Sequence, residues 1–272
     1  MPQIITRRRA LQQISASALL ACGAWPGALA ASAKAGGTFR FIAVNDLHHD
    51  APECNPWFER LMRQMRRHDG VEFVLVLGDL TDKAAKSSFG AIRDHFNSLG
   101  KPIHVQIGNH DHASAKDRTA YEEAFPKQLN YAFEHRGWNF LGIDSTQGTD
   151  SSNTRVQPST LQWLDEQLPR LDRSKPTLVF THFPLGPGAP MVPVNADAVL
   201  QKFIPFNLKG VYSGHHHGFT LRVVRGVDVL TNRCCARIRN NHDGSQEKGY
   251  WLVEAGETGL SSRQFVTFDG AA

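Results

Sequence analysis

Residues 71–82 read VEFVLVLGDLTD, an apolar run that ends abruptly in Gly78-Asp79. A continuous apolar run of this length is typical of a strand that is buried on both faces, as in parallel sheets covered by helices. A carboxylate directly after such a strand lies at the carboxyl edge of the sheet, where ligands bind in open α/β folds. This stretch therefore predicts a fold class and the position of a site.

The segments on either side of this run extend the same pattern. Apolar runs at 39–44 and 102–107 resemble it, and they are also predicted to be strands. Between the three runs, residues 56–68 and 84–99 have the periodicity of amphipathic helices. Strand, helix, strand, helix, strand in succession predicts a parallel sheet with crossover helices.

The second half of the chain contains one predicted helix, 158–168, among many short strands. The predicted strands are short apolar or alternating runs separated by turns: 131–136, 138–144, 177–181, 210–213, 220–224, 227–232, 250–254 and 262–268. Together the two halves favour an α/β fold in which two mixed sheets pack together with helices outside.

Five short motifs, rich in side chains that bind metals, stand at the ends of predicted strands. They are Asp46-Leu47-His48, Gly78-Asp79-Leu80-Thr81-Asp82, Gly108-Asn109-His110-Asp111, Thr181-His182 and Gly214-His215-His216-His217. Carboxylates, imidazoles and an amide at one edge of a fold form a donor set for divalent transition metals. The motifs therefore predict a metal site.

The order of these motifs resembles that of the calcineurin-like metallophosphoesterases, in particular the cyclic-nucleotide phosphodiesterase and general phosphohydrolase branch. This resemblance implies a four-layer αββα sandwich and a centre of two divalent metal ions, which would be Fe, Mn or Zn. It implies that Asp79 bridges the two ions. The implied ligands are Asp46, His48, Asp79 and His217 for the first metal, and Asp79, Asn109, His182 and His215 for the second.

The same resemblance implies hydrolysis of a small phosphodiester or phosphomonoester, with a metal-bridging hydroxide attacking phosphorus. His110 is expected to bind a phosphate oxygen or to protonate the leaving group as a general acid. Asp111 follows it directly and is expected to orient its ring, as carboxylates often do for imidazoles.

At three positions the chain lacks residues that are typical of two other branches of the superfamily, which argues against membership of those branches. Lys83 and Ile107 stand where the phosphoprotein phosphatases have phosphate-binding arginines. Asp82 stands where the purple acid phosphatases have a tyrosine ligand, and it is expected to support neighbouring groups. The alternatives that stay open are a nuclease, a sphingomyelinase-like phosphodiesterase and a catalytically silent metal-binding scaffold.

The first 30 residues have the features of a twin-arginine (Tat) export signal. Arg7-Arg8-Arg9 precedes an apolar segment, and Ala28-Leu29-Ala30 offers small residues for cleavage. We therefore expect a single domain at 31–272 in a periplasmic or secreted protein. A lipoprotein anchor on Cys22 is the alternative, and no other stable membrane anchor is expected.

The net charge of the chain bears on the kind of partner it can bind. The 272-residue chain has a formal charge of +4, but its first 30 residues contain three arginines and no acids, so the remainder is nearly neutral. A small phosphoester is therefore the expected partner, and no nucleic acid is expected.

The sequence leaves open whether Cys54 pairs with Cys234 or Cys235 or all three are reduced. Three arginines beside the vicinal cysteines are expected to lie on a solvated loop, with an anion-binding rim as the alternative: Arg233, Arg237 and Arg239.

Overall fold

The computed structural model describes residues 37–268 and Gly270. The predicted signal segment 1–30, with Cys22, lies outside the described residues. Export stays a prediction, which N-terminal sequencing of the exported protein would test. Within the described part of the chain, no helix combines the length and the apolar character needed to cross a bilayer.

Strands and helices alternate in the first half of the chain, and strands predominate in the second. The strands are β1 Phe39–Val44, β2 Val71–Leu77, β3 Ile103–Gln106, β4 Tyr131–His135, β5 Trp138–Ile143, β6 Thr177–Thr181, β7 Leu208–Ser213, β8 Thr220–Val224, β9 Val227–Thr231, β10 Lys248–Ala255 and β11 Leu260–Phe268. The α-helices are α1 Asn55–Met65, α2 Lys86–Asn97, α3 Thr119–Ala124, α4 Pro158–Gln167 and α5 Ala196–Phe203.

These strands form two mixed sheets. The five-stranded sheet has the order β11-β10-β1-β2-β3, in which β1, β2 and β3 are parallel and β10 and β11 are antiparallel. The six-stranded sheet has the order β4-β5-β6-β7-β9-β8, with a parallel centre and one antiparallel strand at each edge. Because the central strands of both sheets are parallel, their carboxyl ends lie at one edge of each sheet.

The side chains of β2 show how the layers are assembled. Phe73 and Leu75 face the other sheet, whereas Val74 and Val76 face the helices, since successive side chains of a strand point to opposite faces. The helices α1 and α2 pack on the five-stranded sheet, and α4 and α5 pack on the six-stranded sheet. The predicted αββα arrangement is therefore confirmed.

The predicted element boundaries agree with the structure to within a few residues. Two short helices, α3 and α5, were not predicted from the sequence. Each spans only about two turns, and an isolated helix of that length depends on tertiary packing for its stability. Val199 and Phe203 of α5 provide this packing, because both are fully buried against the outer face of the six-stranded sheet.

The three cysteines in the described part of the chain, Cys54, Cys234 and Cys235, are free and buried. The structure therefore agrees with the reduced alternative. Lys248 Nζ, at the start of β10, lies 2.9 Å from Cys234 Sγ in the loop that follows β9, so this thiol has a polar neighbour.

The pKa of His104, a residue of β3, leads to a prediction of how the stability of the protein depends on pH. Its ring stacks on Phe133 with centroids 3.6 Å apart. Burial, followed by the nearby His135, lowers the pKa of His104 from 6.5 to about 4. The unfolded chain therefore binds a proton more readily than the folded protein between these two values, and stability falls as the pH drops through this window.

The variant His104→Phe keeps an aromatic ring and removes the titration. Between pH 7.5 and pH 5, we expect the wild-type protein to lose about 2 kcal/mol more unfolding free energy than this variant. Urea unfolding at both pH values measures the difference. Equal losses in the two proteins would show that His104 is not responsible.

Candidate metal centre

All five sequence motifs follow the carboxyl ends of parallel strands. The first three motifs follow β1, β2 and β3 of one sheet, and the last two follow β6 and β7 of the other. Since the two sheets pack face to face, their carboxyl edges bring the motifs together from both sides. The order of strands in the sheets thus explains how residues far apart in sequence meet in one site.

The first predicted set of ligands forms one buried cluster. Asp46, His48, Asp79 and His217 each offer a ligand atom, and these atoms lie within 4.8 Å of one another. His217 Nε2 is 3.1 Å from Asp46 Oδ1 and 3.1 Å from His48 Nε2. Two carboxylates and two imidazoles around one point are a suitable donor set for a divalent transition metal.

The second predicted set forms a neighbouring cluster. Ligand atoms of Asp79, His182 and His215 also lie within 4.8 Å of one another. Asn109 Oδ1 lies 3.2 Å from His182 Nε2, so the amide oxygen joins this group. The structure therefore places all seven candidate ligands close together, in the two groups that the family resemblance implies.

Asp79 belongs to both clusters, and each of its carboxylate oxygens faces a different one. Oδ2 lies 3.5 Å from His48 Nε2, whereas Oδ1 lies 3.4 Å from His182 Nε2. Burial raises the pKa of Asp79, but the charges of His182 and His48 outweigh this effect and lower it. An ionised carboxylate in this position can accept two cations, one on each oxygen.

Hydrogen bonds select the ring nitrogen that two of the imidazoles leave free. His182 Nδ1 donates to the Leu77 carbonyl at 2.9 Å. His217 Nδ1 donates to the Asn240 carbonyl at 3.1 Å. In both rings Nε2 is therefore the nitrogen that faces the cluster, as is common for histidines that bind metals.

The other two imidazoles are oriented in a similar way, but by different partners. His48 Nδ1 lies 3.2 Å from Asp82 Oδ1, a charge contact without hydrogen-bond geometry, and His48 Nε2 faces His217 Nε2 in the first cluster. His215 is reversed, because its Nε2 donates to the Ser151 carbonyl at 2.9 Å and Nδ1 stays free. In each of the four rings, one nitrogen contacts a protein oxygen and the other is left on the side of a cluster, which is the orientation in which a neutral imidazole can bind a metal.

The Asp46 and His217 pair shows the electrostatics of the centre without metal. Burial lowers the pKa of His217, but the adjacent Asp46 carboxylate outweighs it and raises the pKa to about 11. Conversely, burial raises the pKa of Asp46, and the charge and hydrogen bond of His217 hold it well below its ordinary value. A positive charge is therefore favoured in this cluster, where a proton takes the place that a cation would fill.

The backbone at the ligands is conformationally unusual. Five of the seven candidate ligands have positive φ angles between 45° and 63°: Asp46, His48, Asp79, His215 and His217. A residue with a Cβ atom in this left-handed region costs about 1 kcal/mol or more, and such residues cluster at functional sites. The fold thus contains backbone strain at the residues whose side chains point into the centre.

Gly108 allows two of the motifs to approach each other closely. A Cβ atom at this position would lie 2.1 Å from Asp79 Oδ1 and 2.2 Å from the Asp79 backbone nitrogen. Both atoms belong to the residue that the two clusters share. Only glycine therefore fits here without displacing Asp79.

His110 lies beside the first cluster, with its ring centroid 4.9 Å from that of His48. Its backbone N–H donates to Asp79 Oδ1 at 2.9 Å. Its Nδ1 donates to the carbonyl of Asp82 at 3.0 Å. The predicted orientation of His110 by Asp111 is wrong, because the Asp82 carbonyl occupies that position.

Asp111 instead ties together the loops around the centre. Its buried carboxylate accepts hydrogen bonds from the backbone N–H groups of Leu80, Thr81 and Gly108 at 3.1, 2.9 and 2.9 Å. The 3-10 turn at Asn109–Asp111 directs Asp111 away from the His110 ring and toward these donors. Asp111 is therefore a structural residue that joins the second motif to the third.

Sequence reasoning missed the contact between Arg239 and Asp82. The Arg239 guanidinium binds Asp82 Oδ1 through Nε at 2.8 Å and through Nη2 at 2.5 Å, whereas the sequence suggested a solvated loop. The neighbouring Arg233 pairs with Asp243 and Glu247 and does not reach the centre. No sequence signal indicates this contact, because the partners are 157 residues apart.

Comparison with known proteins agrees with this geometry. The chain matches the model of the calcineurin-like phosphoesterase family over residues 39–219, which include all five motifs. The chain belongs to the calcineurin-like phosphoesterase family. The resemblance inferred from the sequence is therefore confirmed. The residues of both clusters lie within the part of the chain that matches the family model.

This calcineurin-like phosphoesterase shares part of its sequence or its fold with the following proteins. A 3′,5′-cyclic-nucleotide phosphodiesterase of Nostoc sp. is 31% identical over 114 residues, which cover 42% of this chain and 41% of the relative. A purple acid phosphatase from yellow lupin seeds has a TM-score of 0.63 at 12% identity, covering 87% of this chain and 53% of that one. A protein of Thermus thermophilus has a TM-score of 0.56 at 14% identity, covering 86% of this chain and 100% of that one. The two structural neighbours show a common fold.

Proposed function

We propose that this protein is a hydrolase of small phosphodiesters that works with two divalent metal ions held by Asp46, His48, Asp79, Asn109, His182, His215 and His217. The observation that carries the proposal is the position of Asp79 between two clusters, with one carboxylate oxygen toward each. Family membership and the similarity to a cyclic-nucleotide phosphodiesterase support it. The mixed oxygen and nitrogen donors suit Mn, Fe or Zn.

Two bound cations would supply charge stabilisation at phosphorus and a water of lowered pKa. The protein residues fix where this chemistry takes place. The buried carboxylates of Asp46 and Asp79 offset part of the cationic charge, and the neutral imidazoles complete the donor set without adding negative charge. A phosphoester would lie on the open side of the centre, beside the partly exposed His110.

His110 is suited to handle a proton during this reaction. Its Nδ1–H is fixed on the Asp82 carbonyl, so Nε2 is the atom left for the substrate. In the imidazolium form, Nε2–H would donate to a phosphate oxygen or pass its proton to the departing alkoxide. The hydrogen bond from the His110 backbone to Asp79 fixes the distance between this proton donor and the metal centre.

The surroundings of the centre favour a diester over a monoester. A monoester carries one more negative charge and gains more from cationic side chains that bind the phosphate. Lys83 instead pairs with Asp50 at 3.1 Å and its side chain is 72% exposed, and Ile107 is buried and apolar. Arg239 is bound to Asp82. These positions therefore provide little extra positive charge for a dianionic phosphate.

Two chromogenic substrates test this proposal. Protein loaded with Mn²⁺, Fe²⁺ or Zn²⁺ should hydrolyse bis(p-nitrophenyl) phosphate, with a kcat/KM at least roughly tenfold above that for p-nitrophenyl phosphate. Protein treated with a chelator is the control and should be inactive. A preference for the monoester would contradict the choice of substrate class. Two bound ions with no turnover of either ester would indicate a silent scaffold.

A further inference from the structure

The connection between β9 and β10 reaches over the candidate metal centre, although it lies beyond the residues matched by the family, 39–219. The Asn240 carbonyl in this connection accepts the hydrogen bond from His217 Nδ1. Arg239, its neighbour, contacts Asp82, whose Oδ1 lies 3.2 Å from His48 Nδ1. Of these two consecutive residues, Asn240 therefore contacts one candidate ligand directly, and Arg239 contacts the residue that lies beside another.

Asp82 connects Arg239 to two imidazoles at once. Its Oδ1 accepts both hydrogen bonds from Arg239 and lies 3.2 Å from His48 Nδ1. Its backbone carbonyl accepts the hydrogen bond from His110 Nδ1 at 3.0 Å. A movement of Asp82 would therefore disturb a candidate metal ligand and the candidate proton donor together.

Arg239 is itself held in place by the loop. Lys248 Nζ donates to the Arg239 carbonyl at 2.6 Å and also contacts Cys234 Sγ. The Asn241 side chain donates to two carbonyls of the loop and accepts the Cys234 N–H at 3.0 Å. These hydrogen bonds fix the backbone of the loop at Arg239, which lowers the entropy cost of holding its long side chain in one place.

We propose that Arg239 is a positioning residue that acts through Asp82 to fix the His48 and His110 rings for the hydrolysis proposed above. The inference rests on that proposed function. A guanidinium stays protonated and offers two donors in a fixed plane, so it can hold one carboxylate oxygen in place throughout the reaction. Without it, we expect the Asp82 side chain, which is 11% exposed, to be held less firmly beside His48 Nδ1.

The test compares Arg239→Gln with Arg237→Gln, a matched control on the same loop whose side chain is exposed. Loss of a residue that supports a ligand typically lowers metal affinity or activity by about 10–100-fold. For Arg239→Gln we expect roughly tenfold weaker binding of the first Mn²⁺, measured by competition with a chelator, and a kcat roughly tenfold lower with KM within about twofold. The Arg237→Gln control should match the wild-type protein. Arg239→Lys should fall between them, because lysine keeps the charge but loses the planar pair of donors.

A double-mutant cycle with Asp82→Asn separates the proposed pathway from independent effects. If Arg239 acts through Asp82, the double variant should lose no more than the worse single variant, because both changes interrupt one chain of contacts. Additive losses would overturn the proposal. A rise in KM with unchanged metal affinity would overturn it as well, since Arg239 would then bind substrate directly. Equal behaviour of Arg239→Gln and Arg237→Gln would do the same.

Metal affinity keeps this test separate from the proposed function, because it needs no turnover. Weaker metal binding by Arg239→Gln in a protein that hydrolyses no phosphodiester would support the positioning role and contradict the proposed activity. Thermal unfolding of each metal-free variant shows whether the fold is intact, and Arg239→Lys provides a folded comparison if Arg239→Gln is unstable. Unchanged affinity in that folded variant, together with unchanged kcat, would contradict the inference.

Discussion

Replacement of Asp79 with Asn should lower kcat/KM for bis(p-nitrophenyl) phosphate by roughly 10³-fold or more, which corresponds to about 4 kcal/mol of lost transition-state stabilisation. The reason is that the two Asp79 oxygens face different clusters, at 3.5 Å from His48 Nε2 and 3.4 Å from His182 Nε2. An amide keeps the shape but offers one oxygen and no negative charge. We expect the variant to lose tight binding of both metal ions, as measured by elemental analysis after gel filtration.

The control for this experiment is Asp94→Asn, which changes the same functional group on α2, where the side chain is 74% exposed. It should retain both ions and full activity. If Asp79→Asn kept two tightly bound ions and wild-type turnover, the bridging role of Asp79 would be wrong. If it lost one ion and kept the other, Asp79 would belong to a single metal site.

Replacement of His110 with Ala should lower kcat for a dialkyl phosphodiester by about 10²–10⁴-fold while both metal ions stay bound, since a positioned general acid contributes on this scale when the leaving group is an alkoxide. The ring lies beside the centre without belonging to either cluster that contains Asp79, and it is fixed by the Asp82 carbonyl at 3.0 Å. His68→Ala is the control, because His68 lies at the amino end of β2, at the opposite edge of the sheet.

The nature of the leaving group distinguishes the two roles open to His110. An alkyl leaving group needs a proton, whereas p-nitrophenolate departs readily without one. If His110 is the general acid, His110→Ala should lose much more activity toward a dialkyl phosphodiester, whose leaving group is an alkoxide, than toward bis(p-nitrophenyl) phosphate. Equal losses on both substrates would identify His110 as a phosphate binder. Loss of metal from His110→Ala would contradict both roles.

Much of the fold could be predicted from the sequence because its central strands are continuous apolar runs. In β2, the alternation of Phe73 and Leu75 with Val74 and Val76 serves two different cores, and both faces are apolar. That pattern is local and can be read directly. The helices α3 and α5 are short, and their packing partners lie on elements distant in sequence, so local periodicity gave no clear signal for them.

The candidate ligands could be predicted because each stands next to a strand end, and the sheet order then determines which motifs meet. The supporting contacts could not be predicted in this way. Arg239 reaches Asp82 across 157 residues, and the acceptors for His182 and His217 are backbone carbonyls, which any residue type provides. Asp111 was assigned the wrong partner because adjacency in sequence does not show how a 3-10 turn directs its side chains.

The central claim is that two metal ions at this centre act together in hydrolysis of a phosphodiester. It is tested most directly by adding Mn²⁺ stepwise to chelator-treated protein while recording bound metal and turnover of bis(p-nitrophenyl) phosphate in the same samples. If the two ions act together, turnover should be low with one ion per chain and should rise steeply as the second ion binds. Full turnover with a single bound ion, or no turnover with two, would contradict it.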